Sequence, residues 1–167
     1  MTKIFYALAA LPLAAAACSQ PASETAVPRA TASGVPADVA SAVSTAAPGV
    51  TIVTGERDAA NEEYEVTGTM PNGDEIELDL VQSNGTWTVM EIQRDVPWSS
   101  VPEPVRAAAA AAPNAFEPVR VIESRQPADG AVIFELFAAG EAGTPGGGPA
   151  MEVRWHDGTA AVISPAR

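Results

Sequence analysis

Side chains that could carry out catalysis are scarce in this chain. His156 is the only histidine and Cys18 the only cysteine. A Ser-His-Asp arrangement would therefore depend entirely on His156, and a zinc site would lack a second histidine or thiol. His156 directly precedes Asp157-Gly158, a pair that predicts a turn, where a lone histidine is usually solvated. The sequence contains no Gly-x-Ser-x-Gly motif, so we expect no enzyme activity, no catalytic residue and no cofactor.

Carboxylates form two clusters, at 58–63 and 74–79. Glu75, Glu77 and Asp79 alternate with apolar residues, so they share one face of a predicted strand. The simplest interpretation is a solvated sheet face. The alternatives are an acidic docking surface for a basic partner, formed by these three residues, and a carboxylate-based calcium site. Because the spacing is not that of an EF-hand loop, we predict no metal site.

The first eighteen residues have the pattern of an export signal. Lys3 precedes an apolar run over 4–13 and small residues at 14–17, which lead into Cys18. The run is shorter than the ~20 apolar residues of a transmembrane helix, so it predicts a cleaved signal peptide over 1–17. An ordinary cut at Ala15-Ala16-Ala17 is the alternative, and it would leave a free thiol that an oxidising compartment tolerates poorly.

The segment Ala15-Ala16-Ala17-Cys18 also resembles the lipobox of bacterial lipoproteins, which usually has Leu where this chain has Ala15. The resemblance implies that Cys18 becomes the N-terminus and carries a diacylglyceryl group and an amide-linked acyl chain such as palmitate. Ser19 is not the Asp associated with inner-membrane retention in enteric bacteria. The resemblance therefore implies a lipid anchor on the periplasmic face of the outer membrane.

The composition limits the partners. Removal of 1–17 takes away Lys3, the only lysine, and changes the formal net charge from −12 to −13. Nucleic-acid binding depends on Lys and Arg that neutralise phosphates, so we expect no nucleic-acid partner. Apolar residues make up 47% of the chain, which is unlike a disordered composition and predicts a hydrophobic core. Residues 18–34 lack apolar periodicity and predict a flexible tether, whose stretch 19–34 reaches about 50 Å if extended as polyproline II.

Beyond the tether the sequence repeats after sixty-six residues, from Val35-Pro36 to Val101-Pro102. Each proline opens a helical apolar stripe. Each stripe ends in a helix-breaking signal, at Ala47-Pro48-Gly49 and at Ala112-Pro113-Asn114. The chain therefore contains two similar helices in corresponding positions.

Four strand-like runs follow each predicted helix in the same order. In the clearest pair, 76–80 and 151–155, apolar residues occupy every second position, as in a sheet with one face on a core. Asn84-Gly85 and Asp157-Gly158 predict hairpin turns before the last strands.

The predicted fold class is α+β, with two tandem units that each pack one helix on a four-stranded antiparallel meander sheet. The first unit covers 35–98 and the second 99–167. The short bridge over 94–100 limits their separation, and we expect Trp98 to pack at this junction.

This duplicated order resembles the PepSY-like family, and a tandem of such units is similar to the beta-lactamase inhibitory protein fold. The second copy departs from the pattern through the insertion Gly140 to Pro149. The matching residues are Val35-Pro36, Ala47-Pro48-Gly49-Val50, Glu56, Tyr64-Glu65-Val66 and Asn84-Gly85 in the first copy, and Val101-Pro102, Ala112-Pro113, Glu123 and Asp157-Gly158 in the second.

The resemblance implies a non-catalytic protein-binding role in the cell envelope, which could modulate or inhibit an envelope enzyme. The glycine-rich loop over 143–149 would then be a segment able to enter a partner's cleft. A structural or assembly role at the outer membrane is the alternative, since small lipoproteins of related fold support outer-membrane protein assembly. The expected partners are the membrane, through the lipid, and a periplasmic or outer-membrane protein.

Overall fold

The computed structural model of the chain describes residues 34–58, 60, 62–140 and 148–164. The predicted signal peptide, Cys18 and the tether up to residue 33 lie outside these residues, as does the glycine-rich segment 141–147. Within the described residues, neither helix is long and apolar enough to cross a membrane.

Two helices begin directly after prolines. In α1 (Ala37–Ala46) and α2 (Glu103–Ala111), the carbonyl of the preceding proline accepts the first helical hydrogen bond. Proline suits this position because the missing N–H would have no helical acceptor. The helices end before Gly49, at φ 87°, and Asn114, at φ 59°. Both residues have the left-handed conformation, and both belong to the signals from which the sequence predicts the end of each helix.

Eight strands follow the helices in two groups of four, and a short 3-10 turn, Trp98–Ser100, separates the groups. Asn84-Gly85 and Asp157-Gly158 have positive φ at both positions, as a two-residue hairpin turn of type I′ requires. The strands are β1 (Thr51–Asp58), β2 (Glu63–Thr69), β3 (Glu75–Ser83), β4 (Thr86–Asp95), β5 (Arg120–Gln126), β6 (Ala131–Phe137), β7 (Met151–His156) and β8 (Thr159–Ser164).

All eight strands form one antiparallel sheet in chain order. The prediction of two tandem units, each with its own four-stranded sheet, is wrong. The halves are joined where β4 pairs with β5, from Ile92 opposite Arg125 to Asp95 opposite Ile122. The sequence predicts a bridge over 94–100, but β4 continues to Asp95, and the polar residues after Ile92 supply most of the pairing. Pairing satisfies backbone groups that two separate sheets would leave at open edges.

Both helices pack on the same sheet through apolar residues that alternate along the strands. Val39 and Val43 of α1 belong to a first core and Val105 and Ala109 of α2 to a second, and Trp98 packs against the second core. The buried strand residues are Tyr64, Val66, Ile76, Leu78, Leu80, Trp87 and Val89 in the first core, and Val121, Phe134, Leu136, Met151 and Val153 in the second.

An ion cluster connects the halves on this helix-covered face. Arg94 donates two hydrogen bonds of 3.2 Å to the carboxylate of Glu123, and Arg125 donates one of 2.7 Å from its Nε. Burial opposes ionisation of Glu123, but the hydrogen bonds from both arginines outweigh it and hold the pKa below its usual range. The β4–β5 junction is therefore held by side chains as well as by backbone pairing.

Candidate functional site

The sheet face opposite the helices carries most of the acidic side chains. Paired residues of antiparallel strands share a face, and Glu65 pairs with Asp79, Thr67 with Glu77, and Asp79 with Glu91. The buried residues of both helices pack against the other face. We call this surface the acidic face. Its carboxylates are Glu56, Asp58, Glu63, Glu65, Glu75, Glu77, Asp79, Glu91, Asp95, Glu135 and Glu152.

The three acidic residues singled out by the sequence lie on this face, in β3. Glu75 is exposed, whereas Glu77 and Asp79 are half-buried. Carboxylate oxygens of Glu65, Glu77 and Asp79 lie within 4.8 Å of one another, so Glu65 from β2 joins the group in place of Glu75. Calcium takes about six to eight oxygens, more than these three carboxylates offer with one oxygen each. The group by itself therefore does not establish a calcium site.

The centre of the acidic face resists ionisation. Burial raises the pKa of Asp79 to about 6, and repulsion from Glu91, Glu65 and Glu63 adds to the effect. Burial also raises the pKa of Glu77, with repulsion from Glu65 and Asp79. Ionisation of these carboxylates at neutral pH therefore costs free energy, and a nearby cation would reduce that cost.

A third carboxyl with the same property lies on β6. Burial raises the pKa of Glu135 to about 7, assisted by repulsion from Glu91 and Glu152. Asp79 contributes to the same repulsion, so charges on strands of both halves of the sheet interact. The acidic face is therefore one electrostatic surface that crosses the β4–β5 junction.

The arginines of the acidic face, Arg120 and Arg154, form their ion pairs outside its centre. Arg120 forms a bidentate pair with Asp95, at 2.7 and 2.9 Å, and lies 5.4 Å from the ring centre of Phe137. Arg154 donates a hydrogen bond of 2.7 Å to Asp129. In the described part of the chain, neither guanidinium forms an ion pair with the Glu65, Glu77 and Asp79 group. The centre of the face therefore keeps an excess of negative charge.

A buried polar contact fixes one of the carboxylates in place. Ser124 is fully buried on β5, and its hydroxyl donates to Glu91 Oε1. The Gln126 amide donates to the same oxygen, at 3.2 Å, and to the Ser124 hydroxyl oxygen, at 2.8 Å. Glu91 is thus held at the β4–β5 junction before any partner binds.

Two depressions interrupt the acidic face. One of about 720 Å³ is lined by carboxylates of β1 to β4 together with Val81 and Met90. A smaller one of about 150 Å³ lies between Glu77, Asp95 and Arg120. The larger depression, whose lining also includes Arg57, places carboxylates next to apolar surface, which suits the charged tip and aliphatic stem of an Arg or Lys side chain. The smaller one is already lined by two arginines, Arg94 and Arg120.

His156 lies apart from the carboxylate group. Its Nε2 is 3.0 Å from the backbone oxygen of Asp129, and its Nδ1 is 3.3 Å from a carboxylate oxygen of Asp157 in the hairpin turn. These contacts join the β7–β8 turn to the segment before β6. His156 is the last residue of β7, directly before the predicted turn, and it is half-buried.

Sequence reasoning missed Glu65, Glu91, Glu135 and Ser124 as members of the site. Glu65, Glu91 and Glu135 have apolar neighbours on both sides along their strands, and that alternation was a usable signal for their face. Ser124 lies between Glu123 and Arg125, so the sequence carries no such signal for it. Which of them meet depends on strand pairing, and the alternation does not encode pairing.

Comparison of the chain with protein-family models, curated proteins and solved structures finds no match. The resemblances to the PepSY-like family and to the inhibitory protein fold stay predictions.

Proposed function

We infer that the protein binds a basic partner protein on its acidic face and catalyses no reaction. The observation that carries this proposal is a carboxylate-rich sheet face on which burial and mutual repulsion raise the pKa of Glu77, Asp79 and Glu135. Lys or Arg side chains of a partner would relieve that repulsion. A lipid on Cys18 would hold the binding surface at the periplasmic side of the outer membrane.

The arrangement favours recognition by charge. Carboxylates of one sign steer an oppositely charged partner during association, and the association rate then falls as salt increases. Glu91 is already oriented by Ser124 and Gln126, so binding does not have to order this side chain. Modulation of an envelope enzyme and support of outer-membrane assembly would both use this surface, and the identity of the partner distinguishes them.

Site-specific photocrosslinking in the cell envelope tests the proposal. A photoreactive residue at Thr67, which pairs with Glu77 on the acidic face, should form a discrete adduct with a basic protein. The matched control replaces Ser44, an exposed residue of α1 on the covered side. Equal adducts from both positions, or none from Thr67, would contradict the proposal.

The captured partner then allows a quantitative test. Glu77→Lys should weaken its binding by tenfold or more, an effect of about 1.4 kcal/mol, when measured by titration calorimetry. Glu117→Lys makes the same charge change at an exposed position outside the strands and serves as the control. Equal losses for both variants would show that net charge alone, and not the acidic face, determines binding.

A further inference from the structure

The last strand of the sheet, β8, is an open edge without charged side chains. β8 pairs only with β7 among the described strands. Its six residues, TAAVIS, include no charged residue, proline or glycine, and Ile163 is 49% exposed. Natural sheets usually protect such an edge with charge, proline or a bulge.

The opposite edge of the sheet is protected. β1 has a register irregularity between Ile52 and Thr54. It also contains Gly55 and three successive charged residues, Glu56, Arg57 and Asp58. Irregular pairing, glycine and charge all disfavour addition of another strand. β8 also has a register irregularity, where Val162 and Ser164 pair with successive residues of β7, but its residues 159–162 pair regularly and carry no charge. The two edges therefore differ in charge, and β8 offers the apolar one.

The β7–β8 hairpin determines which backbone groups point outward. Thr159 pairs with His156 across the two-residue turn, and Ala161 pairs with Arg154. Residues that flank such a turn exchange hydrogen bonds, so alternate residues, Ala160 and Val162, direct their backbone groups away from β7. An added antiparallel strand would bond to these groups.

The charge distribution favours a second copy of the chain as that strand. The densest carboxylates lie on β1 to β4, whereas β8 carries no charge and its neighbour β7 carries Glu152 and Arg154. Two copies joined at β8 would keep their most acidic strands at opposite ends of the joined sheet. A basic peptide that paired with β8 would meet no carboxylate on that strand, so its positive charge would contribute little to binding.

We propose that two copies of the chain associate through antiparallel pairing of their β8 strands. In the symmetric register, Ala161 lies opposite its counterpart and Ala160 opposite Val162, within the regularly paired part of β8. The two-fold axis is perpendicular to the sheet, so both acidic faces point to the same side and form one bivalent surface. The inference does not depend on what binds the acidic face.

The second helix is compatible with this arrangement. α2 packs on β7 and β8, so strand pairing brings the two α2 helices side by side. The exposed residues of α2 include Ala107, Ala110 and Ala111. Small side chains of this kind permit helix axes to approach within about 8–10 Å.

Sedimentation velocity of the full chain with Cys18→Ser, which cannot be acylated, tests the dimer. The parent protein should show a concentration-dependent dimer. Ala161→Lys places two ammonium groups opposite each other and should leave only monomer. Val53→Lys, at an exposed position on the other edge strand, is the matched control and should retain the dimer. A parent that is monomeric throughout, or a dimer unaffected by Ala161→Lys, would overturn the proposal.

Disulfide trapping tests the register without depending on a destabilising charge. In the Cys18→Ser background, Ala161→Cys would place two cysteines in a non-hydrogen-bonded pair with Cα atoms about 4.5 Å apart, within disulfide range. Mild oxidation should give a covalent dimer much faster than Ser44→Cys, an exposed control on α1. Equal dimer yields at equal times would contradict pairing through β8.

Discussion

The two faces of the sheet are formed by the same strands but have opposite effects on stability. In β3, Leu78 is fully buried against the first core, and its neighbour Asp79 has a pKa raised to about 6 on the acidic face. In β2, Val66 and Glu65 are divided in the same way. The covered face stabilises the fold through apolar burial, whereas the acidic face opposes it through repulsion between carboxylates. This division is expected if stability and recognition are assigned to alternate residues of each strand.

The largest predicted difference between the faces is in β6. Phe134→Ala removes a fully buried ring from the second core and should lower the free energy of unfolding by about 3–5 kcal/mol. Ile133→Ala changes the adjacent, half-buried residue on the acidic face and should cost about 1 kcal/mol or less. Urea denaturation measures both. Similar losses would mean that the faces do not differ in packing.

The next prediction concerns the ion cluster on the covered face. Glu123→Gln leaves Arg94 and Arg125 without their carboxylate and should cost about 2 kcal/mol at neutral pH. Because the pKa of Glu123 is lowered by folding, the stability that it contributes is present above pH 4.5 and is lost at lower pH. The difference between parent and variant should therefore shrink on acidification. A difference that persists undiminished at low pH would contradict this assignment.

The acidic face should show the opposite pH dependence. The pKa of Asp79 rises from 3.8 to about 6 on folding, so the folded state holds its proton more tightly and stability falls between these values as pH rises. Asp79→Asn removes this loss and should stabilise the protein by about 1 kcal/mol at neutral pH, after allowance for solvent screening. Glu75→Gln, at an exposed position on the same strand, is the control and should change little. Destabilisation by Asp79→Asn at neutral pH would contradict net repulsion at this position.

Local features of the fold could be predicted from the sequence because neighbouring residues determine them. Pro36 and Pro102 start the helices, Gly49 and Asn114 follow them, and Asp157-Gly158 forms its hairpin turn. Alternation also places Glu75, Glu77 and Asp79 on one face.

The joining of the two halves could not be predicted in this way. The residues of β4 that pair with β5 are mostly polar. Their side chains alternate between the acidic face and the covered face, where Arg94 pairs with Glu123. Their pattern is therefore indistinguishable from that of a linker. The proximity of Glu65 to Asp79 depends on the β2–β3 register, and the hydrogen bond of Ser124 to Glu91 depends on the pairing of β4 with β5. Long-range pairing decides each of these features.

The smallest expected effect separates general charge repulsion from specific metal binding. Added NaCl at about 0.5 M screens the carboxylates of the acidic face and should raise the free energy of unfolding by about 0.5 kcal/mol. Asp79→Asn should reduce this gain, because one of the repelling charges is absent. Calcium chloride at matched ionic strength should add nothing further, since we expect Glu65, Glu77 and Asp79 to respond to charge screening alone. If calcium specifically raises the melting temperature and Glu77→Gln abolishes that rise, the acidic face is primarily a cation-binding site and only secondarily a protein-binding surface.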